Sequence, residues 1–353
     1  MQSVQQILAN VQANGDAALS ELTSRLDGVE LSEFRVSEAE FAAARDELTN
    51  EQLAALRVAI NNVSRYHEQQ QTAPSSVETT PGVVCERLTR PIPAVGLYVP
   101  AGTAPLPSTA IMLAVPSAIA GCPVRILCTP PRPDGKADPA VLVAAAECGI
   151  TEVYKLGGAQ AVAAMAYGTE TVPKVDKIFG PGNAWVTAAK TEVARDPAGA
   201  ALDMPAGPSE VLVIADAQAD PRAVALDLLS QAEHGVDSQV VLVTTSATLA
   251  EAANQEVITA LEDLPRREIM YQSLQHSRVI LVTDLDEAVA VSNVYAPEHL
   301  IMQIENARSY LDQVENAGSV FLGPYTPESV GDYCSGTNHV LPTYGYALSL
   351  IHI

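Results

Sequence analysis

Residues 211–244 read VLVIADAQADPRAVALDLLSQAEHGVDSQVVLVT, and the order of apolar and polar segments in this stretch indicates the fold class. It begins with an apolar run of strand length, Val211 to Ala215, and continues through a helix-length segment from Pro221 to Ala232. A second apolar run, Val240 to Thr244, follows. Strands that alternate with helices are typical of a parallel sheet.

The same alternation extends along most of the chain. Ala-rich helical stretches and helix-length segments separate further apolar or β-branched runs, at Ala94 to Val99, Val124 to Cys128, Val153 to Leu156, Lys177 to Phe179, Arg278 to Val282 and Val320 to Leu322. From Ser3 to about Glu68 the apolar spacing is helical, and Ser37 with Glu40 has the pattern of a capping box. The sequence therefore predicts an α/β protein with two doubly wound, Rossmann-like parallel sheets and N-terminal helices.

Two segments rich in proline and glycine predict the domain division. They are Pro100-Ala101-Gly102 and Met204-Pro205-Ala206-Gly207-Pro208. We expect the chain to cross there between two α/β domains. Residues 1–100 and 209–347 would form one discontinuous domain, and residues 101–208 would form an inserted domain.

Composition limits the classes of function. At 353 residues the chain has room for about two domains, and its formal charge of −22 opposes binding to nucleic acid or anionic lipid. The five cysteines are odd in number and lack CxxC spacing, so they are predicted to be reduced and mostly buried. The N-terminus lacks the pattern of a signal peptide, which predicts a cytoplasmic protein.

Three short runs carry residue types suited to metal binding and proton transfer. In Ser230-Gln231-Ala232-Glu233-His234, Gln231 and His234 are three residues apart in the predicted helix, so one metal could contact both. On pattern alone, such a pair is more often a polar pair on a surface or in a core. Asp332, in Gly331-Asp332-Tyr333, offers a further carboxylate.

Glu298-His299 follows Pro297 and precedes the apolar run Leu300-Ile301-Met302. Adjacent carboxylate and imidazole groups can share proton transfers at a strand end. The alternative is a helix-capping Glu beside a surface His. His67 and His276 have no clustered partners in sequence and are predicted to be solvated.

No GxGxxG run follows a predicted strand, so the usual dinucleotide fingerprint is absent. Glycine pairs do open two predicted helices, in Gly157-Gly158-Ala159-Gln160 and Gly180-Pro181-Gly182-Asn183. Helix N-termini can receive phosphate, although tight turns explain these glycines equally well. Ser209, in Gly207-Pro208-Ser209-Glu210, is on pattern alone as consistent with a turn or cap hydroxyl as with a ligand contact.

Together these runs closely resemble the histidinol dehydrogenase family, over nearly the whole chain. The resemblance implies an aldehyde-dehydrogenase-like fold, a zinc site, and oxidation of L-histidinol through histidinal to L-histidine with NAD, the final steps of histidine biosynthesis. By the resemblance, the metal ligands are Gln231, His234 and Asp332, the catalytic residues are Glu298 and His299, the NAD contacts are Tyr98, Gln160 and Asn183, and the substrate contacts are Ser209, Gln231, His234, His299 and Asp332. It also implies a homodimer.

Two further expectations concern the C-terminus and the substrate. After Tyr346 the chain departs from the family, which continues with a region supplying a substrate-binding Glu and another zinc-ligating His, so residues 348–353 are predicted to be a non-native tail on an incomplete chain. A related zinc- and NAD-dependent enzyme acting on another polyol, such as a dihydroxypropane sulfonate, is an alternative function. A non-enzymatic nucleotide-binding or scaffolding protein is another.

Overall fold

The computed structural model of the chain describes residues 2–101, 105–204 and 207–347, apart from the side chain of Gln2. The chain forms two compact units. The first extends to Asp203 and includes Tyr333–Val340, and the second comprises Met204–Asp332 with the segment that begins at Leu341. Both units are α/β, which confirms the predicted fold class.

The first unit is built on a five-stranded parallel sheet. Its strand order is β5-β4-β3-β6-β7, and a separate antiparallel hairpin pairs β1 with β2. Among the described residues its elements are α1 (Gln2–Leu22), a π-helical turn (Thr23–Asp27), α2 (Glu38–Glu47), α3 (Asn50–Glu68), β1 (Ser75–Thr80), β2 (Val83–Arg87), β3 (Ala94–Tyr98), α4 (Pro107–Ile119), β4 (Val124–Thr129), α5 (Pro139–Glu147), β5 (Glu152–Lys155), α6 (Gly158–Tyr167), β6 (Lys177–Phe179), α7 (Ala184–Arg195) and β7 (Ala201–Leu202).

The second unit repeats this strand order. Its parallel sheet runs β10-β9-β8-β11-β12, and the central strand β8 is buried along its whole length. Its described elements are β8 (Glu210–Ala215), α8 (Pro221–Ala232), β9 (Gln239–Thr244), α9 (Ala247–Leu261), α10 (Arg267–Leu274), β10 (Arg278–Leu281), α11 (Leu285–Tyr295), β11 (His299–Gln303), a 3₁₀ helix (Ala307–Gln313), β12 (Ser319–Leu322) and α12 (Glu328–Tyr333). In each sheet the order reverses beside the first strand, as in doubly wound folds.

The division into units differs from the predicted one. Strand β3 pairs with β4 and β6, and its Val95 and Leu97 are buried in the first unit. The apolar face of α1 packs in the same core as α6. Because burial of these faces ties the N-terminal residues to the first sheet, residues 1–100 do not group with 209–347. Gly102, Pro205, Ala206 and the predicted tail 348–353 lie outside the described residues.

Three other details differ from the sequence predictions. The β1–β2 hairpin was not predicted, although Pro81-Gly82 between two short runs is a turn signal. Two of the five free cysteines, Cys122 and Cys128, are buried, so the prediction of mostly buried thiols is wrong. His67 is also buried rather than solvated, and its Nδ1 lies 2.9 Å from the Val63 carbonyl oxygen.

Among the residues that the structure describes, no helix combines the length and apolar character needed to cross a bilayer.

Helices α2 and α3 begin at capping residues. Ser37 accepts from the Glu40 N–H as predicted, but the Glu40 carboxylate instead accepts from the Ala137 N–H and pairs with Lys155, so only half of that capping box forms. A complete box occurs at α3, where Thr49 Oγ1 accepts from the Gln52 N–H and Gln52 Oε1 accepts from the Thr49 N–H.

Replacing Thr49 with Ala should therefore destabilise α3. The expected loss is about 1 kcal/mol in the free energy of unfolding, because one helix N–H loses its acceptor. Urea unfolding followed by circular dichroism measures the change, and Thr49→Ser should restore most of it. Equal midpoints for Thr49→Ala and the wild-type protein would contradict the role of the cap.

Candidate active site

The predicted catalytic pair lies at the amino edge of the second sheet. Glu298 directly precedes β11 and His299 is its first residue. In the parallel register His299 lies opposite Val211 of β8 and Ser319 of β12. Both side chains are buried, at 7% and 3% exposure. The apolar run that predicted the strand therefore fixes where these two polar side chains begin.

Glu210, the first residue of β8, holds both members of the pair. Its N–H donates to Glu298 Oε2 at 2.9 Å, and its carbonyl oxygen lies 3.1 Å from His299 Nδ1. Its own carboxylate accepts from the Tyr344 N–H at 3.0 Å. Sequence reasoning gave Glu210 no role, because its contacts depend on strand register.

The contact with Glu210 assigns the protons of His299. A backbone carbonyl only accepts, so Nδ1 carries hydrogen and Nε2 is the basic atom of the neutral ring. Nε2 is buried, has no hydrogen-bond partner among the described residues, and lies 3.6 Å from Asp332 Oδ1. Burial acts to lower the pKa of His299, but the carboxylates of Glu298 and Asp332 outweigh it and raise the pKa well above 6.5. A cation held by those carboxylates would oppose this rise.

A cluster of buried acids surrounds the imidazole. His299, Glu328 and Asp332 offer ligand atoms that all lie within 4.8 Å of one another. Glu328 Oε2 accepts from Ser230 Oγ at 2.7 Å, and Glu328 also adjoins Gln231. Burial and the neighbouring Asp332 raise the pKa of Glu328 to about 7. Sequence reasoning missed Glu328, although it precedes Asp332 by one helical turn.

These residues fit a divalent cation. Both polar atoms of the Gln231 amide and Asp332 Oδ1 are buried and have no hydrogen-bond partner among the described residues. Buried polar atoms are normally paired, and leaving one unpaired costs about 1–3 kcal/mol. A cation would satisfy the free oxygens and offset the excess of carboxylates. Imidazole, carboxylate and amide oxygen are ligand types that zinc accepts.

His234 lies outside this cluster. Helix α8 ends at Ala232, and the His234 N–H bonds to the Gln231 carbonyl in a tightened turn. Its side chain is exposed, so Gln231 and His234 do not share one helix face as predicted. The helix spans Pro221–Ala232 as predicted, with Glu233 as its C-cap, so His234 lies beyond the helix in which the prediction had placed it. Ser209, the other predicted substrate contact, is half-buried just before β8, and its carbonyl accepts from the Gln239 N–H.

The predicted NAD contacts belong to the first unit, at the carboxyl edge of its sheet. Tyr98 ends β3, and its hydroxyl accepts from the Gly158 N–H at 3.0 Å. Gln160 is 1% exposed; its Nε2 donates to Asp27, while Oε1 is buried and unpaired among the described residues. Asn183 Oδ1 caps α7 by accepting from two backbone N–H groups.

Glycine makes this edge accessible to a ligand. A Cβ on Gly180, whose φ is +127°, would come within 2.1 Å of the Tyr98 carbonyl oxygen, and Gly158 has a φ of +61°. Both lie where a strand leads into a helix N-terminus, and Gly180 lies beside the topological switch point between β3 and β6. Bare backbone, helix N-termini and the unpaired Gln160 oxygen fit a dinucleotide.

Comparisons with known proteins agree on one family. The family model for histidinol dehydrogenase matches residues 1–350. A histidinol dehydrogenase of Xanthomonas euvesicatoria pv. vesicatoria is 59% identical over 345 residues, which cover 98% of this chain and 80% of that protein. A histidinol dehydrogenase of Vibrio cholerae is 56% identical over 344 residues, which cover 98% of this chain and 79% of that protein.

One solved structure agrees with this family, and a second shares the fold. The crystal structure of histidinol dehydrogenase from Elizabethkingia anophelis matches with a TM-score of 0.95 and 48% identity, over 98% of this chain and 79% of that one. An NAD-dependent aldehyde dehydrogenase from Sinorhizobium meliloti matches with a TM-score of 0.51 and 14% identity, over 91% of this chain and 79% of that one. At that identity the second match concerns the fold alone.

The pH dependence of stability should report the burial of Glu210. Burial raises its pKa from 4.5 to about 7, although the Tyr344 N–H opposes the shift. The folded state then holds the proton more tightly than the unfolded chain. The stabilisation of the folded state by protonated Glu210 is therefore fully present below about pH 4.5 and is lost as the pH rises through about 7.

Glu210→Gln removes this titration and keeps an acceptor for Tyr344. Between those pH values the chelator-treated wild-type protein should lose on the order of 3 kcal/mol of unfolding free energy relative to the variant. Urea unfolding of both proteins at several pH values measures the difference. A constant difference across this range would contradict the expected shift.

Proposed function

Because the chain belongs to the histidinol dehydrogenase family, we propose that it oxidises L-histidinol through histidinal to L-histidine with NAD. The observation that carries this proposal is the buried Glu298–His299 pair, which the backbone of Glu210 orients so that Nε2 of the imidazole is the atom free to take a proton. The family match makes the chain an oxidoreductase of histidine biosynthesis.

His299 serves as the general base. Its Nδ1–H is held by the Glu210 carbonyl, so Nε2 accepts the proton of the substrate hydroxyl. Burial keeps bulk water from competing for that proton. Glu298 lies next in the chain, and its Oε2 is 3.5 Å from His299 Nδ1. We assign to Glu298 the activation of the water that adds to the aldehyde, because a second base is needed for that step.

Gln231, His234 and Asp332 are the proposed zinc ligands. Zinc at this position would bind nitrogen donors of the amino alcohol and orient its carbinol carbon. The unpaired Gln231 and Asp332 oxygens support two of these assignments. The support for His234 is its match to the family motif, and its exposed imidazole would have to turn toward the cluster to bind. Glu328 holds Ser230 beside Gln231.

NAD is the proposed hydride acceptor for both oxidations. Tyr98, Gln160 and Asn183 are the proposed contacts, and the glycine-lined carboxyl edge of the first sheet supports this assignment. Ser209 is a proposed substrate contact. A homodimer remains a prediction of the family resemblance, and a cytoplasmic location remains a prediction from the N-terminal sequence.

Zinc binding tests the proposed ligands directly. The full-length protein should hold about one zinc per chain. Asp332→Asn and His234→Ala should each lose most of it, because each removes a proposed ligand. His276→Ala, which changes another exposed histidine, is the matched control and should retain the metal. Mass spectrometry of bound metal provides the measurement, and unchanged zinc in both ligand variants would reject this ligand set.

The two half-reactions should separate Glu298 from His299. Wild-type protein should form two NADH per histidinol and little NADH from dihydroxypropane sulfonate. His299→Asn should slow the first hydride transfer by about 10²- to 10⁴-fold, the usual contribution of a general base. Glu298→Gln should preserve that transfer comparatively well and remain impaired when histidinal is supplied.

Single-turnover NADH absorbance with each substrate measures both steps. Equal losses of rate in both half-reactions for both variants would show that His299 and Glu298 do not act in separate steps. Turnover of the sulfonate in preference to histidinol would reject the proposed substrate.

A further inference from the structure

A buried ion pair in the first unit hydrogen-bonds to the first residue of the glycine loop at residues 180–183. Asp203 Oδ2 accepts from the Gly180 N–H at 2.8 Å, and Lys190 Nζ donates to the Gly180 carbonyl at 2.7 Å. Lys190 and Asp203 also pair with each other, and each side chain is 4% exposed. Both peptide groups of one glycine are thus held by buried charges.

Stability alone gives little reason for such a pair. Desolvation of two buried charges offsets much of their attraction, so apolar replacements of similar volume are often no less stable. Here both charged side chains hydrogen-bond to the backbone of Gly180, whose φ of +127° disfavours any other residue. Together they keep this peptide against the carbonyl of Tyr98, where a Cβ would not fit.

The other end of the loop is fixed as well. Asn183 caps α7, and the Thr187 N–H bonds to the Asn183 carbonyl. Lys190 lies on α7 itself, and Asp203 directly follows β7, the edge strand beside β6. The ion pair therefore ties the loop to the helix that follows it and to the strand next to it.

We infer that Lys190 and Asp203 are positioning residues for dinucleotide binding. They hold the Gly180 peptide in the orientation that leaves the 180–183 loop open to the cofactor, and neither side chain contacts the cofactor itself. The inference rests on the proposed function, because it takes NAD as the ligand of this loop. Without the pair, the Gly180 peptide would be free to rotate and seek other partners.

Paired substitutions avoid leaving one charge buried alone. Lys190→Met with Asp203→Leu removes both bonds to Gly180, whereas Lys190→Met with Asp203→Asn keeps an acceptor for the Gly180 N–H. Val141→Ala, in the buried face of α5, is a control that loosens the same unit without touching the loop. Trp185, the single tryptophan, lies two residues after Asn183 and is half exposed. Fluorescence energy transfer from Trp185 to NADH therefore reports cofactor binding without turnover.

The Met/Leu variant should raise the NADH dissociation constant at least about tenfold, the effect of losing a hydrogen bond to a charged group. The Met/Asn variant should be intermediate. Zinc content and the KM for histidinol should stay at wild-type values in both, and Val141→Ala should lower the melting temperature but bind NADH normally. Wild-type affinity in both paired variants, or an equal loss in Val141→Ala, would overturn the inference alone. No NADH binding by the wild-type protein would overturn the proposed cofactor and this inference together.

Discussion

The parallel pairing of β8 with β11 is the constraint on which the candidate active site depends. The register places His299 opposite Val211, and this brings the N–H and carbonyl of Glu210 against the Glu298 carboxylate and the His299 imidazole. A slip by one residue would turn each side chain to the other face of the sheet. Because burial of the apolar residues on both faces fixes the register, the hydrophobic core also determines which imidazole nitrogen is basic.

The same site concentrates buried carboxylates around one imidazole. Glu210, Glu298, Glu328 and Asp332 are all buried close to a single imidazole. Burial and mutual repulsion raise the pKa of Glu210 and of Glu328 to about 7, so folding is opposed near neutral pH unless a proton or cation is present. A catalytic site that binds a cation is expected to carry such a cost, and the apolar strands around it supply the compensating stability.

The sequence was sufficient for the fold class and for part of the site. Apolar β-branched runs predicted the central strands, and family motifs predicted Glu298, His299 and Asp332, which the fold brings together. Glu210 and Glu328 were missed because their importance arises from register and from contacts between elements far apart in the chain. The position of His234 beyond the end of α8 was missed because local propensity does not fix a helix end to within one or two residues. The grouping of residues 1–100 depended on which sheet β3 joins, which periodicity does not reveal.

Both sheets share one strand order, yet their candidate sites lie at opposite edges. In the first unit the glycine loops lie at the carboxyl edge, where α6 and α7 present their N-termini. Those ends carry partial positive charge and suit phosphate. In the second unit the acids lie at the amino edge, where the crossover helices α8 and α11 end, and helix C-termini carry partial negative charge. The usual rule for doubly wound folds places ligands at the carboxyl edge and would have missed the second site. The chemistry of each edge therefore follows from the polarity of its helix ends: the edge with N-termini suits an anionic cofactor, and the edge with C-termini and carboxylates suits a cation.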